Sequence, residues 1–337
     1  MKHGLALLSS LALAWGCGKK HGGGPAADVV GLSAVPISAE VVISADVPRV
    51  ADSPLVDRAV DQLMVRDPDL ADRWQKLHDS CKLDVTRISH VLLAIGPRGN
   101  QNGVGTGPVL MVATGKLTEN ELVTCVRAMV GSGGGDVTAK SVAGHTLYQA
   151  RDGSRIMFFS FGRADTVLLS SNEQFITEAL TPGKKATGNT ELAAWIALAD
   201  QKAPVWAAGR ADPTLRDRLV KVTNGALSAG PEAIVLSFDP TSGARLDLGA
   251  VMTSPTDAKA LESFAKNQIT LLGMAAQKFS AGKLVDKIEV SSAGTVVHVR
   301  VALTLDEVNQ LVSALDGKGS AAQDSPPAGS GSGSGPQ

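Results

Sequence analysis

The chain has 337 residues, of which 44% are apolar and 19% are charged, and its formal net charge at pH 7 is −1. Nucleic-acid binding needs clustered Lys and Arg to neutralise phosphates, so this balance gives no reason to expect a nucleic-acid partner. With one Tyr and four Trp, the sequence also has few aromatic side chains that could stack on sugars or single-stranded bases.

An apolar run over residues 5–15 follows two polar residues near the amino terminus. The run is far shorter than the roughly 20 residues that span a bilayer, so it is typical of a secretory signal peptide. It leads into Leu13-Ala14-Trp15-Gly16-Cys17, which resembles the lipobox of bacterial lipoproteins. In that family the cysteine sulfur is joined to diacylglycerol, the chain is cleaved before the cysteine, and the new amino terminus is acylated. The resemblance implies a signal peptide over residues 1–16 and lipidation of Cys17.

The resemblance also implies where the protein is held. Gly18 stands where family members that stay in the inner membrane carry Asp, so the resemblance implies delivery to the outer membrane, facing the periplasm or the cell surface. The membrane is then a partner through the N-terminal lipid, and residues 17–36 form a flexible tether. Ala12-Leu13-Ala14 also fits the A-x-A site of ordinary signal peptidase, whose cleavage would release a soluble protein, and this alternative stays open.

The first predicted α+β copy covers residues 37–188. A strand around Val42 precedes a helix that starts at Ser53 as its cap and Pro54 in its first turn. The apolar residues of this helix recur at helical spacing, which predicts one buried face. They are Leu55, Val56, Ala59, Val60, Leu63 and Met64. Two β-rich runs follow, and a capping box from Thr118 to Glu121 opens the next helix.

The second predicted copy, with a connector helix, covers residues 189–316, and a Gly, Ser and Pro tract over residues 317–337 is predicted to be disordered. Asp212 caps a helix in this copy. Each copy is predicted to follow β-α-β-β-α-β-β-α, a ferredoxin-like order with an extra strand and a closing helix. The predicted fold class is therefore α+β, internally duplicated, with antiparallel sheets covered by helices on one face. Two separate sheets and one extended sheet both remain open.

The cysteines that remain after Cys17 are Cys81 and Cys125, and both lie on apolar stripes of predicted helices. An exported protein meets an oxidising compartment, so a disulfide between them is expected, although two buried thiols would also fit the pattern. Neither cysteine lies in a CxxC motif, so the sequence predicts no thiol catalysis.

Histidines offer no metal or catalytic pattern in the sequence. His78, His90, His145 and His298 lie far apart, with no pair at the spacing that a helix or strand uses to bind a metal. No Gly-x-Ser-x-Gly elbow is present, and the Gly-rich segments do not precede helices as phosphate loops do. The sequence therefore predicts no metal, no cofactor and no enzymatic activity.

The long helix predicted from residue 257 to residue 279 has an unusually wide apolar surface. Ile269, Leu271 and Met274 widen its core stripe, either because the other copy packs over them or because they form an interaction patch. The favoured hypothesis is a non-enzymatic, lipid-anchored envelope protein that binds another protein or has a structural role. The alternative is a carrier of a small apolar or lipid ligand held between the two copies.

Overall fold

The computed structural model describes residues 26–68, 71–72, 75, 79, 81, 85–97, 107–131, 133–276 and 282–310. Within these ranges, twelve strands form one sheet in which every neighbouring pair is antiparallel. The strands are β1 (Val41–Asp46), β2 (Ile88–Ile95), β3 (Val109–Gly115), β4 (Asp136–Val142), β5 (His145–Asp152), β6 (Arg155–Arg163), β7 (Thr166–Ser170), β8 (Val205–Arg210), β9 (Ala233–Asp239), β10 (Ala244–Val251), β11 (Glu289–Ala293) and β12 (Val296–Leu303). Their order across the sheet is β11-β12-β10-β9-β8-β1-β2-β3-β7-β6-β5-β4.

The prediction of duplicated ferredoxin-like units is wrong. The strands belong to one continuous sheet, and β1 lies in its middle with β2 on one side and β8 on the other. In a split βαβ unit a third strand lies between the strands that precede and follow the crossover helix, whereas β1 and β2 are direct antiparallel neighbours, as are β8 and β9. The predicted order also places two strands between the helix that the capping box opens and the next helix, where the structure has the four strands β4 to β7. The sequence pattern contains no signal for which strands are neighbours.

The α-helices pack on both faces of this sheet, so the prediction of helices on one face is also wrong. The described helices are α1 (Val47–Ala51), α2 (Pro54–Arg66), α3 (Glu119–Gly131), α4 (Glu173–Leu180), α5 (Thr190–Leu198), α6 (Pro213–Val222), α7 (Pro255–Ala276) and α8 (Gly282–Val285), with short 3-10 helices at Gly31–Ala34, Val85–Arg87 and Ala186–Gly188. Residues 305–310 are also helical.

Two helix starts follow the predicted local chemistry. At α3, the N–H of Glu121 donates to Thr118 Oγ1 at 3.3 Å and the N–H of Thr118 donates to Glu121 Oε2 at 3.1 Å, which confirms the capping box. At α6, Asp212 Oδ1 accepts from the N–H of Thr214 at 2.7 Å, which confirms the cap. Each side chain satisfies N–H groups that the helix cannot bond internally.

The first face of the sheet carries the largest core cluster. Strand residues such as Val42, Leu92 and Trp206 pack there with buried side chains of α4 and α5, including Phe175 and Trp195. The segment before β1 packs on the same cluster, because Val29, Ala34 and Val35, which fall in the predicted tether, are also buried there.

The second face carries two separate clusters, one towards each edge. Leu122 and Val123 of α3 pack with Phe159 and Val167 in the first of them. In the second, α6 and α7 pack with Val290 and Val297 of the outer strands, and Leu261 of α7 is buried. Neither cluster covers the strands that lie between them.

The helix α2 does not have the buried face that its periodicity predicts. None of its residues is buried, and the side chains of Val60 and Leu63 are 43% and 50% exposed. Ser53 also differs from the prediction, because its hydroxyl donates to the carbonyl of Pro240 at 2.7 Å instead of capping the helix. Periodicity indicates that a helix is amphipathic, but not that a partner surface covers it.

Candidate functional site

The predicted lipidation site, Cys17, lies outside the described residues. The structure does show where the segment that follows it joins the folded body. The N–H of Val29 donates to the carbonyl of Gly162 at 3.0 Å, and the carbonyl of Ala27 lies 3.2 Å from His145 Nε2. Any tether from Cys17 therefore meets the body beside β5 and β6.

Cys81 and Cys125 are joined by a disulfide, and their Cα atoms are 4.8 Å apart. The bond fixes Cys81, which is helical, to α3. Met129 lies beside the pair, with its sulfur 3.3 Å from Cys81 Sγ and 3.9 Å from Cys125 Sγ. This cluster of sulfurs therefore joins two helical segments.

The three residues of the predicted apolar patch have different environments. Ile269 packs against the core cluster beneath α7. Leu271 and Met274 are each 55% exposed, and the neighbouring Leu272 is 58% exposed. The exposed apolar surface on α7 therefore consists of Leu271, Leu272 and Met274, and Ile269 belongs to the core.

A second apolar surface lies on the second face of the sheet, between its two clusters. One row of directly paired residues crosses the central strands there, and all its members are half-buried. We call it the central apolar face; its members are Leu93, Ile43, Ala207, Leu236 and Leu248. Within the described part of the chain, none of these five side chains packs into either cluster on this face. The sequence analysis missed it, because each residue belongs to a different strand.

A polar cleft opens on the first face near one edge of the sheet, where α5 no longer covers the strands. Its volume is about 850 Å³, and its wall includes Leu198 at the end of α5. The charged and histidine side chains that line it are Arg49, Asp200, Lys202, Asp239, Arg245, Asp247, Asp286, Lys287, Glu289, His298 and Arg300.

The register of β10 and β12 brings three of these side chains together. Asp247 is paired directly with Arg300, and Gly249 with His298. Asp247 Oδ1 lies 2.8 Å from His298 Nδ1, and Asp247 Oδ2 accepts from Arg300 Nε at 2.8 Å. Gly249 has no side chain to fill the space, and a Cβ there would lie 2.5 Å from Val235 Cγ2 and 3.8 Å from His298 Cε1.

The electrostatics of this cluster keep Asp247 ionised. Burial raises the pKa of Asp247, but hydrogen bonds from Arg300 and His298 outweigh it, so that the pKa lies below its usual value. Asp239 is held in the same state, because hydrogen bonds from the side chain and backbone of Thr241 lower its pKa. Both carboxylates are therefore ionised, and each accepts hydrogen bonds from neighbouring residues of the chain.

Two cations and two carboxylates of the cleft make no side-chain ion pair or hydrogen bond among the described residues. Among the described residues, Arg245 and Lys202 make no side-chain ion pair or hydrogen bond, whereas Lys287 pairs with Glu307 at 2.6 Å. Asp286 and Glu289 are the carboxylates of the cleft that lack such a partner in the same described ranges.

The sequence analysis did not predict this cleft. His298 and Asp247 are 51 residues apart, and only the register between two strands brings them together. A signal is nevertheless present, because Arg245 and Asp247 alternate with apolar residues in β10, and His298 and Arg300 do so in β12. Alternation of this kind places the charged side chains of each strand on one face.

The other histidines have structural hydrogen bonds. His145 is 8% exposed, and its Nδ1 lies 2.9 Å from the carbonyl of Phe161, while His90 Nε2 lies 2.9 Å from Ser44 Oγ. His78 lies outside the described residues. Across the ranges that the structure describes, no three His, Cys, Asp or Glu side chains are grouped as metal ligands would be.

Comparisons with known proteins identify no relative. No protein-family model, curated protein or solved structure matches the chain. In the described ranges, no helix combines the length and apolar character that a membrane span requires.

Proposed function

We propose that this protein is a non-enzymatic, lipid-anchored protein of the cell envelope that binds another protein through the central apolar face. The observation that carries the proposal is the row from Leu93 to Leu248, which is apolar throughout and half-buried at every position. Contiguous apolar surface that stays accessible is typical of an interaction site.

The position of the central apolar face supports a protein as the partner. It lies between two helix-covered clusters, so the flanking helices form the sides of a shallow trough rather than a closed pocket. A helix or sheet of a partner can fill such a trough, and its apolar side chains would replace the water there. Removal of this apolar surface from water favours association, against the entropy that the two partners lose on binding.

The N-terminal segment supports the envelope location. Lipidation of Cys17 would hold the protein at a membrane, because acyl chains contribute about 0.8 kcal/mol for each buried methylene. The segment before residue 26 would then link the acyl chains to the body beside β5 and β6. This location presents the central apolar face to other proteins of the envelope.

The test is site-specific photo-crosslinking in intact cells. A photoreactive amino acid at Leu236, in the middle of the central apolar face, is expected to yield a discrete adduct with one envelope protein. The matched control is the same amino acid at Glu173, which is also half-buried but lies on α4 on the opposite face. Adducts from position 173 alone, or none from position 236, would refute the proposal.

A second variant separates loss of binding from loss of folding. Leu236→Gln removes apolar surface while keeping nearly the same side-chain length, so the variant is expected to fold but to lose the partner. Circular dichroism and the Tm report the fold, and co-purification with the cross-linked partner reports binding. Full co-purification by a folded Leu236→Gln variant would contradict the proposed surface.

The second candidate function is a carrier of a small apolar or lipid ligand. The central apolar face crosses the β1–β8 pairing in the middle of the sheet, and its half-buried apolar side chains, which an acyl chain would contact, favour this candidate. Native mass spectrometry of the protein purified without detergent discriminates between the two. A lipid adduct that Leu236→Gln removes would favour the carrier, and its absence would favour protein binding.

The non-enzymatic part of the proposal has its own test. Within the described part of the chain, His298 is hydrogen-bonded to Asp247, but no serine or cysteine hydrogen-bonds to His298. A nucleophile–base pair would need such a contact. Turnover of a defined substrate by the purified protein, abolished by His298→Ala, would overturn this part of the proposal.

A further inference from the structure

We propose that the cleft beside β10 and β12 is a binding site for an oxyanion, either the phosphate or the carboxylate group of a small ligand, held by Arg245, His298 and Arg300. This inference rests on the cleft alone and does not depend on the proposed function. The central apolar face lies on the other face of the sheet, so the two surfaces can be tested separately.

Asp247 positions two of the three cationic side chains of the site. It bonds one nitrogen of His298 and one nitrogen of Arg300. His298 Nε2 and the two Nη groups of Arg300 therefore have no hydrogen-bond partner among the described residues. A guanidinium that keeps its Nη groups free matches the paired oxygens of a phosphate or carboxylate.

Arg245 supplies a further cation. It lies two residues before Asp247 on the same face of β10, and its directly paired residue on β12 is the small Ala302. Ala302 is in turn two residues from Arg300, so the two guanidinium groups come from diagonal positions of one strand pair. Arg300 is paired with Asp247, and Arg245 lies directly opposite Asp239 across β9 and β10, where its charge helps to lower the pKa of Asp239. The nitrogens of both guanidinium groups that these carboxylates leave unbonded attract an oxyanion placed between them.

Two of the neighbouring carboxylates already accept hydrogen bonds from other groups of the chain. Asp239 accepts from the N–H and the hydroxyl of Thr241 and lies 4.0 Å from Arg49, and Asp200 accepts from the N–H of Lys202 at 3.0 Å. Lys202 also lines the cleft and has no side-chain ion pair among the described residues.

Two carboxylates of the cleft, Asp286 and Glu289, oppose the proposed ligand. Glu289 is paired directly with Arg300 across β11 and β12, and its side chain lacks a partner within the described ranges. An incoming oxyanion meets the negative charge of Glu289 at the rim of the cleft. Removal of that charge is therefore expected to strengthen binding, whereas removal of the charge of Arg245 is expected to weaken it.

The test measures binding of inorganic phosphate, acetate and phosphatidylglycerol vesicles to the full-length chain carrying Cys17→Ala, so that acylation does not itself cause vesicle binding. Isothermal titration serves for the two ions and co-sedimentation for the vesicles. Arg245→Gln is expected to weaken binding about tenfold, and Glu289→Gln to strengthen it. Because Arg245 has no side-chain partner in the described part of the chain, Arg245→Gln is expected to fold normally.

Arg155→Gln is the matched control, since Arg155 is an exposed arginine on β6 outside the cleft. Binding of an ion but not of vesicles identifies a soluble ligand, and binding of vesicles that Arg245→Gln removes identifies a lipid headgroup. Either result supports the site. Equal binding by the Arg245→Gln and Arg155→Gln variants, or no binding of any of the three probes, would overturn it.

Discussion

The carboxylate of Asp257 accepts two hydrogen bonds from Ser228, from its N–H to Oδ1 at 2.7 Å and from its hydroxyl to Oδ2 at 2.7 Å. Asp257 lies in the first turn of α7 and is 3% exposed, and Ser228 lies in the loop that leads to β9. Ser254 adds a third hydroxyl at 2.9 Å from Oδ2. The interaction therefore fixes the start of α7 to the loop that precedes β9.

This arrangement makes stability depend on pH. The hydrogen bonds from the side chain and the backbone of Ser228 lower the pKa of Asp257. The same carboxyl titrates near about 3.9 in the unfolded chain, so its contribution to stability is complete above that pH. The contribution is lost as the pH falls through the lower pKa of the folded state.

Asp257→Asn is therefore expected to lower the free energy of unfolding at pH 7 and to flatten its decline below about pH 4. The amide nitrogen of Asn cannot accept from Ser228, so one of the two donors loses its acceptor. Urea unfolding at a series of pH values measures both effects. Asp152→Asn, at an exposed position on β5, serves as the control, and an equally steep acid decline in Asp257→Asn would contradict the assignment.

The crosslink between Cys81 and Cys125 is expected to contribute about 4 kcal/mol to the free energy of unfolding, from the chain-entropy estimate for the loop that it closes. The sequence separation of the pair is 44 residues. Reductant should lower the urea midpoint of the unaltered protein. It should leave the midpoint of the Cys81→Ser/Cys125→Ser double variant unchanged, and an equal response of both proteins would show that no disulfide forms.

A substitution at Gly209 tests the pairing of β1 with β8 at the centre of the sheet. A Cβ at this position would lie 2.7 Å from Val41 Cα and 2.8 Å from the carbonyl oxygen of Glu40. Gly209→Ala is therefore expected to cost about 1–3 kcal/mol, because the backbone of β1 must move to admit the methyl group. Gly183→Ala is the control, since a Cβ there would meet nothing within 4 Å. Hydrogen exchange should show reduced protection in β1 and β8 of Gly209→Ala, and unchanged protection would argue against this pairing.

The predicted anchor has a direct test in Cys17→Ala. If Cys17 is acylated, the unaltered protein sediments with the membrane fraction and the variant moves to the soluble fraction. Mass spectrometry of the mature amino terminus supplies a second readout, namely acylated Cys17. A mature chain that begins at Trp15 would instead show cleavage at the alternative A-x-A site.

Local features of the fold could be predicted from the sequence, because neighbouring residues determine them. The capping box of Thr118 and Glu121 and the cap at Asp212 involve residues three or fewer positions apart. The interaction of Ser53 with Pro240 could not be predicted, because 187 residues separate the two.

The cleft and the central apolar face depend on register, which a single sequence does not determine. A shift of one residue between β10 and β12 would place Arg300 opposite an apolar residue of β10, away from Asp247. The row from Leu93 to Leu248 likewise needs five strands in one order. No residue of that row is unusual within its own strand, so the sequence contained no local signal for it.

The pairing of β1 with β8 also has a consequence for biosynthesis. β1 emerges from the ribosome long before β8, so one edge of β1 exposes unpaired N–H and C=O groups until the second half of the chain arrives. During that interval, β8 of another molecule can fill the same position. At high concentration we therefore expect refolding to produce dimers that exchange residues 205–303, an outcome that slow, dilute refolding avoids.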